Sequence, residues 1–291
     1  LDPPAAKALG LGYLNYASAL YENGRFAEAA DLVEPSIQGM LRGGVTDATL
    51  FIAMSSGANM LADSGRAAES LELAQRGVVV ATELLPPDHP FIGFAQATLA
   101  KILLQADRYE EAEEPARRAL DIMAERLGPE HRNTLTAMNN LGVIAARLGR
   151  YEDALALTLR HSELIATVEP GEGVMSLVTA SNVATEMGDF EQGLDFARQA
   201  VALAETLPKD NGKAVRGLET LAMRLDEAGD YPAALELIDR VVARREQAKG
   251  GEVDAASRLH KGLLLLRLED RAAGWPLVEQ GLDALERGLI E

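Results

Sequence analysis

The sequence runs to 291 residues and carries a formal charge of -17, with 28 Lys and Arg against 45 Asp and Glu. With no basic stripe to offset it, that balance excludes a nucleic-acid backbone and an anionic membrane surface as partners, since both call for clustered cations. Cysteine is absent, which removes disulfides, thiolate metal sites and a cysteine nucleophile, and aromatics make up only 4%, so packing falls to small and aliphatic side chains.

The chain opens at Leu1, in LDPPAAKALG, without a starting Met. It therefore reads as a processed mature protein or as a piece of a longer one. No apolar run approaches the roughly 18 residues that a membrane span needs. The expected compartment is the cytoplasm, with a periplasmic mature form as the alternative.

One short phrase then recurs to the C-terminus: GRFAEA from Gly24, GRAAES from Gly65, DRYEEA from Asp107, GRYEDA from Gly149, GDFEQG from Gly188, GDYPAA from Gly229 and EDRAAG from Glu269. Its third letter supplies an anchor for each copy: Phe26, Ala67, Tyr109, Tyr151, Phe190, Tyr231 and Arg271. Successive anchors lie about 41 residues apart, a period that marks a repeat architecture in which each unit is one supersecondary element. The predicted units are 5–43, 46–84, 88–128, 131–168, 172–208, 211–249 and 252–289, a single array over 1–291.

Within a unit, apolar residues at helical spacing precede the phrase, as in Leu135, Met138, Leu141 and Ala145. The Gly of the phrase is expected to stop that helix in a left-handed cap, and the anchor to open a second helix. Nine positions before each anchor stand Ala17, Ala58, Ala100, Gly142, Ser181, Ala222 and Gly262, and three after it Ala29, Ser70, Ala112, Ala154, Gly193, Ala234 and Gly274. Small residues at both places predict a close helix crossing within each unit. The anchor tyrosines Tyr109, Tyr151 and Tyr231 are expected to be buried.

The side chains of chemistry are few. His89 and His131 sit one period apart in equivalent loops, which points to a role in capping the following helix. His161 and His260 complete the set, without metal-ligand spacing. Glutamate pairs such as Glu110 with Glu111 read as a solvated face, and no glycine-rich phosphate loop occurs. The expectation is therefore a non-enzyme with no cofactor and no metal. Trp275 is expected to be a buried anchor, and GLLLLRL at 262–268, apolar around most of a helix, to be covered by a further helix, another domain or a second copy.

The small residue in the first helix, followed by glycine, an aromatic and an alanine, resembles the tetratricopeptide repeat. The long unit, the DHP-type loop at 88–90 and LTAMNNLGVIAARLGRYEDA at 135–154 are most similar to the kinesin-light-chain-like variety found in many bacterial proteins. The resemblance implies an all-α, right-handed superhelical solenoid of about seven helix-turn-helix repeats, whose first helices line a concave groove. It also implies that side chains four or five, eight, eleven and twelve positions before the anchor face that groove. Carried onto this sequence, those offsets give Asn15, Asn59, Lys101, Asn139, Asn140, Arg147, Asn182, Glu186, Asp226 and Glu227 as the residues meeting a protein or peptide partner. Amides that donate and accept suit an extended peptide backbone, and the acidic end at Asp226 and Glu227 favours a basic segment there. The function so implied is a non-catalytic binding scaffold. The alternative is a ligand-sensing regulatory domain of a longer signalling protein.

Overall fold

The computed structural model describes residues 2–247 and 254–288, and every regular element in them is an α-helix. Contacts divide the chain into two compact units, Leu1–Gly149 and Arg150–Glu291. The first holds α1 (Pro3–Glu22), α2 (Phe26–Asp31), α3 (Val33–Arg42), α4 (Ala48–Asp63), α5 (Ala67–Leu84), α6 (Pro90–Gln105), α7 (Tyr109–Leu127) and α8 (Arg132–Arg147). The second holds α9 (Tyr151–Ile165), α10 (Pro170–Glu186), α11 (Phe190–Ala204), α12 (Gly212–Glu227), α13 (Tyr231–Gln247), α14 (Ala255–Arg267) and α15 (Arg271–Gly288).

All seven anchors are the first residue of a helix. The residue two before each has positive φ, whether it is a glycine, as at Gly24, or not, as at Asp107 with φ 55° and Glu269 with φ 66°. The repeat thus places a left-handed cap between its two helices whatever the side chain. In the first repeat the second helix is broken into α2 and α3, because Pro35 has no N–H for the Asp31 carbonyl and its ring crowds that oxygen.

The fourteen small residues at the two repeated positions are all buried. They face one another across the helix pair. Ser70 donates to the Ala58 carbonyl at 2.7 Å and Ser181 to the Gly193 carbonyl at 2.7 Å. A Cβ built on Gly274 would lie 2.9 Å from the Gly262 carbonyl oxygen. Neighbouring repeats are tied by polar pairs about one period apart: Tyr21 to Asp63 at 2.5 Å, Arg76 to Glu34 at 3.1 Å, and Lys213 to Glu172.

Two expectations fail at the aromatic positions. Tyr109, Tyr151 and Tyr231 are only half-buried, while Phe26 and Phe190 are 40% and 62% exposed. A side chain that opens a helix leans toward its N-terminus and has no earlier turn beneath it, so it covers the loop and keeps one edge in water. Trp275 is likewise no buried anchor, being 53% exposed. In the GLLLLRL segment Leu264 is fully buried and Leu265 and Leu266 half-buried, whereas Leu263 and Leu268 are exposed.

Candidate functional site

In the first unit, α4, α6 and α8 are the first helices of consecutive repeats, and they line a cavity of about 400 Å3. One end is aromatic. The Phe51 and Phe91 rings stack at 5.7 Å, and Phe94 tilts against Phe91 at 5.8 Å. Half of the six phenylalanines in the chain thus meet here, beside Ile52, which is 53% exposed.

His89 fixes the entry to α6. Its Nδ1 accepts the Phe91 N–H at 3.2 Å, and its ring stacks on Phe91 at 5.2 Å. One repeat later His131 Nδ1 accepts the Asn133 N–H at 3.2 Å. These are the N-caps expected for the paired histidines.

The other end of the cavity is polar, with Ser56, Asn59, Thr98, Lys101 and Asn140 in its lining. Lys101 Nζ donates to Asn59 Oδ1 at 2.8 Å, and Asn59 Nδ2 donates to the Ser55 carbonyl at 3.0 Å. Asn140 is half-buried and makes no side-chain hydrogen bond among the described residues. The lining contains one cation and no carboxylate, in a chain of charge -17. A second cavity of about 370 Å3 shares Ser56, Asn59 and Lys101 and reaches Tyr21 and Glu22 of the first repeat.

Of the residues singled out from sequence, Asn59, Lys101 and Asn140 share this lining. Asn139 is half-buried outside it, and Asn15 and Arg147 are exposed outside it. In the second unit Asn182 and Glu186 are exposed on α10. The acidic pair on α12 is met within the chain: Asp226 by Arg267 and by His260 at 3.3 Å, and Glu227 by Arg224 at 2.9 Å. A basic peptide would have to displace Arg267 and Arg224. Asn59 is similarly occupied, whereas Asn140 and Asn133 of the same lining make no side-chain hydrogen bond among the described residues.

The sequence offsets missed the aromatic end because they stopped twelve residues before the anchor. Positions fifteen to eighteen before it carry Phe51, Ile52, Phe91 and Phe94, one helical turn further back on the same face. The visible signal was the concentration of phenylalanine near the starts of two first helices.

His161 belongs to the core of the second unit, where its Nδ1 lies 2.7 Å from Ser176 Oγ. Burial holds its pKa below the ordinary 6.5. Among the described residues no cluster of three or more His, Cys, Asp or Glu is placed to hold a metal, and no helix is long and apolar enough to cross a membrane.

Sequence models of the tetratricopeptide repeat match residues 49–125 and 116–164, 218–250, and 10–35, together more than half of the chain. Among solved structures, the nearly identical TPR-like repeats of a kinesin light chain from Podosopora anserina are 21% identical over 68% of this chain and 95% of that one, with a TM-score of 0.61. The apo form of RapI is 12% identical over 97% and 99%, with a TM-score of 0.66. A tetratricopeptide repeat protein from Parabacteroides merdae is 12% identical over 95% and 93%, with a TM-score of 0.62. At such identities the likeness establishes the fold alone. No curated protein matches the chain.

Proposed function

Because this chain belongs to the tetratricopeptide-repeat family, a fold of protein-interaction scaffolds, we propose that it acts without catalysis, by gripping an extended peptide segment of a partner protein. The observation that carries this reading is the cavity on α4, α6 and α8, apolar at one end and polar at the other. Its volume suits one large apolar side chain, which Phe51, Phe91 and Phe94 would enclose. Asn140 would then donate to and accept from the peptide backbone, and Lys101 would turn a proton toward a peptide carbonyl.

Extended peptides need such paired anchors. An apolar pocket supplies the favourable desolvation, while backbone donors and acceptors fix direction and register. On the second unit by itself, Asn182 and Glu186 of α10 are proposed to offer partner contacts of their own. The work is proposed to take place in the cytoplasm.

Peptides selected from a random displayed library on the intact chain test this. Their consensus should contain a bulky apolar residue. Phe94→Ala should weaken the selected peptides by at least tenfold. Asn140→Ala, by leaving a backbone group unpaired, should cost about 1–3 kcal/mol of affinity. Peptides whose affinity is untouched by both changes, with helicity intact, would move the binding surface elsewhere.

A further inference from the structure

The joint between the sixth and seventh repeats is built differently from the others. Fourteen past the anchor, second helices carry Met40, Ala81, Met123, Ile165 and Ala204, all buried. Ala81 packs there with Ile92 of the following repeat, Met123 with Ala137, and Ala204 with Ala214. The sixth repeat puts Arg245 at this position, half-buried. The facing positions change with it. Seventeen before the anchor stand Ile92 and Ala214, and ten before it Leu99 and Leu221, all buried, whereas the seventh repeat has Asp254 and Lys261, both half-buried. The first helix of the seventh repeat also starts late: α14 opens at Ala255, sixteen residues before Arg271, where α12 opens at Gly212, nineteen before Tyr231. One turn of the usual helix contact is missing.

Ion pairs take over where apolar contact is withdrawn. Arg245 pairs with Asp254 across the joint, Lys261 Nζ with Asp239 at 2.6 Å, and Arg267 with Asp226, which His260 also approaches at 3.3 Å. Arg267 lies over the Tyr231 ring at 5.4 Å. Among the described residues Leu264 alone of α14 joins the apolar cluster of α12 and α13. The junction before it carries ion pairs too, Lys213 with Glu172 and Arg240 with Glu205, but they surround the buried contact of Ala204 with Ala214. At the sixth–seventh joint the polar fit is also incomplete, because Arg245 Nε is buried with no hydrogen-bond partner among the described residues. That leaves its desolvation uncompensated. The seventh repeat itself is tightly packed, a Cβ on Gly262 falling 3.0 Å from the Gly274 carbonyl oxygen. The weakness lies in the joint.

We propose that this joint is a salt-sensitive clasp: as ionic strength rises, α14 parts from α12 and α13 while the earlier helices of the second unit stay packed. The pairing groups are open to counterions, since the side chains of Arg245, Lys261, Arg267 and Asp239 are 28%, 29%, 46% and 51% exposed. Pairs in that setting lose attraction as salt is added, whereas the apolar contacts of the other junctions do not. Parting uncovers Asp226, whose side chain is 17% exposed under Arg267 and His260. It also strips cover from α14, whose 13 residues are too few to hold a helix alone.

Hydrogen exchange of the intact chain in about 0.02 M and about 1 M sodium chloride tests this, with α10 of the same unit as the internal reference. Relative to α10, exchange in α14 should quicken by at least about fivefold in high salt. Arg245→Met with Lys261→Leu installs the residue types that Met123 and Leu221 supply at the same positions. In that double variant α14 should exchange more slowly than in the unmodified chain and respond to salt by less than about twofold. Asp239→Asn, at an exposed position, removes one pair alone and should quicken α14 exchange in low salt while leaving the high-salt rate near that of the unmodified chain. Exchange in α14 that is unchanged or slowed by salt relative to α10 would overturn the proposal. So would a folded double variant that keeps the full salt response, or an Asp239→Asn variant with the unmodified chain's low-salt rate.

Discussion

Gly10 and Gly12 lie two residues apart in α1 and should respond to the same substitution with opposite sign. Alanine in a helix interior is ordinarily favoured over glycine by about 1 kcal/mol, because glycine loses more backbone freedom on folding. At Gly12 nothing stands within 4 Å of the new Cβ. Gly12→Ala should therefore deliver that gain, about 0.5–1 kcal/mol. At Gly10 the Cβ would lie 2.6 Å from the Met40 backbone nitrogen, 2.8 Å from the Ser36 carbonyl oxygen and 2.9 Å from the Gly39 carbonyl carbon. All three are backbone atoms of α3, so no rotamer change relieves them. Ordinary contact begins at 3.4 Å, so α1 must back away by more than half an ångström. That shift stretches the Ser36 hydroxyl bond to the Gly10 carbonyl, now 3.0 Å, and loosens the packing on both sides. Overpacking of this kind costs about 1–3 kcal/mol, with rigid backbone at the upper end. Net of the helical gain, Gly10→Ala should destabilise by about 2 kcal/mol. Urea unfolding followed by circular dichroism, with hydrogen exchange in α1 and α3, reads both variants. Equal stabilisation by the two alanines would refute the close crossing of α1 on α3.

Removing one histidine cap, as in His131→Ala, should cost about 1 kcal/mol, and His131→Asp should recover most of it; urea midpoints showing no loss for the alanine variant would deny the cap its role. Glu269→Gly should stabilise by up to about 1 kcal/mol in thermal melts, because a left-handed φ of 66° strains any residue with a Cβ; a lower melting temperature would contradict this. Burial lowers the His161 pKa from 6.5, so the unfolded chain binds a proton there more readily than the folded one. Stability from this group is complete above pH about 6.5 and drains away as pH falls below it. His260 is shifted the same way by burial. Urea midpoints at pH about 7.5 and 5.5 should therefore fall less for His161→Asn than for the unmodified chain, and an identical fall would set the prediction aside.

Features that depend on position within the repeat were legible in the sequence. The small residues at Ala58 and Ser70, the left-handed turns at Gly149 and Gly229, and the caps at His89 and His131 all follow from equivalence, because each unit meets the same backbone environment one period on. Features set by a residue's neighbour in the next unit were not legible. Asn59 is held by Lys101, and Asp226 by Arg267, through side chains about a period away whose reach no offset records. The exposure of Trp275 escaped for a related reason: periodicity says that position four past the anchor is apolar, not which side chains pack on it. The phenylalanine end of the cavity lay one turn beyond the offsets that the family resemblance supplies, so its polar half was anticipated without the half that would hold a side chain.

Hydrogen exchange of the intact chain with and without a library-selected peptide tests the central claim most directly. Bound peptide should slow exchange in 51–59, 91–101 and 133–140, the segments of α4, α6 and α8 that carry the cavity, and leave 275–285 unchanged. Slowing confined to α15 or to the second unit, with those three segments unaffected, would contradict it.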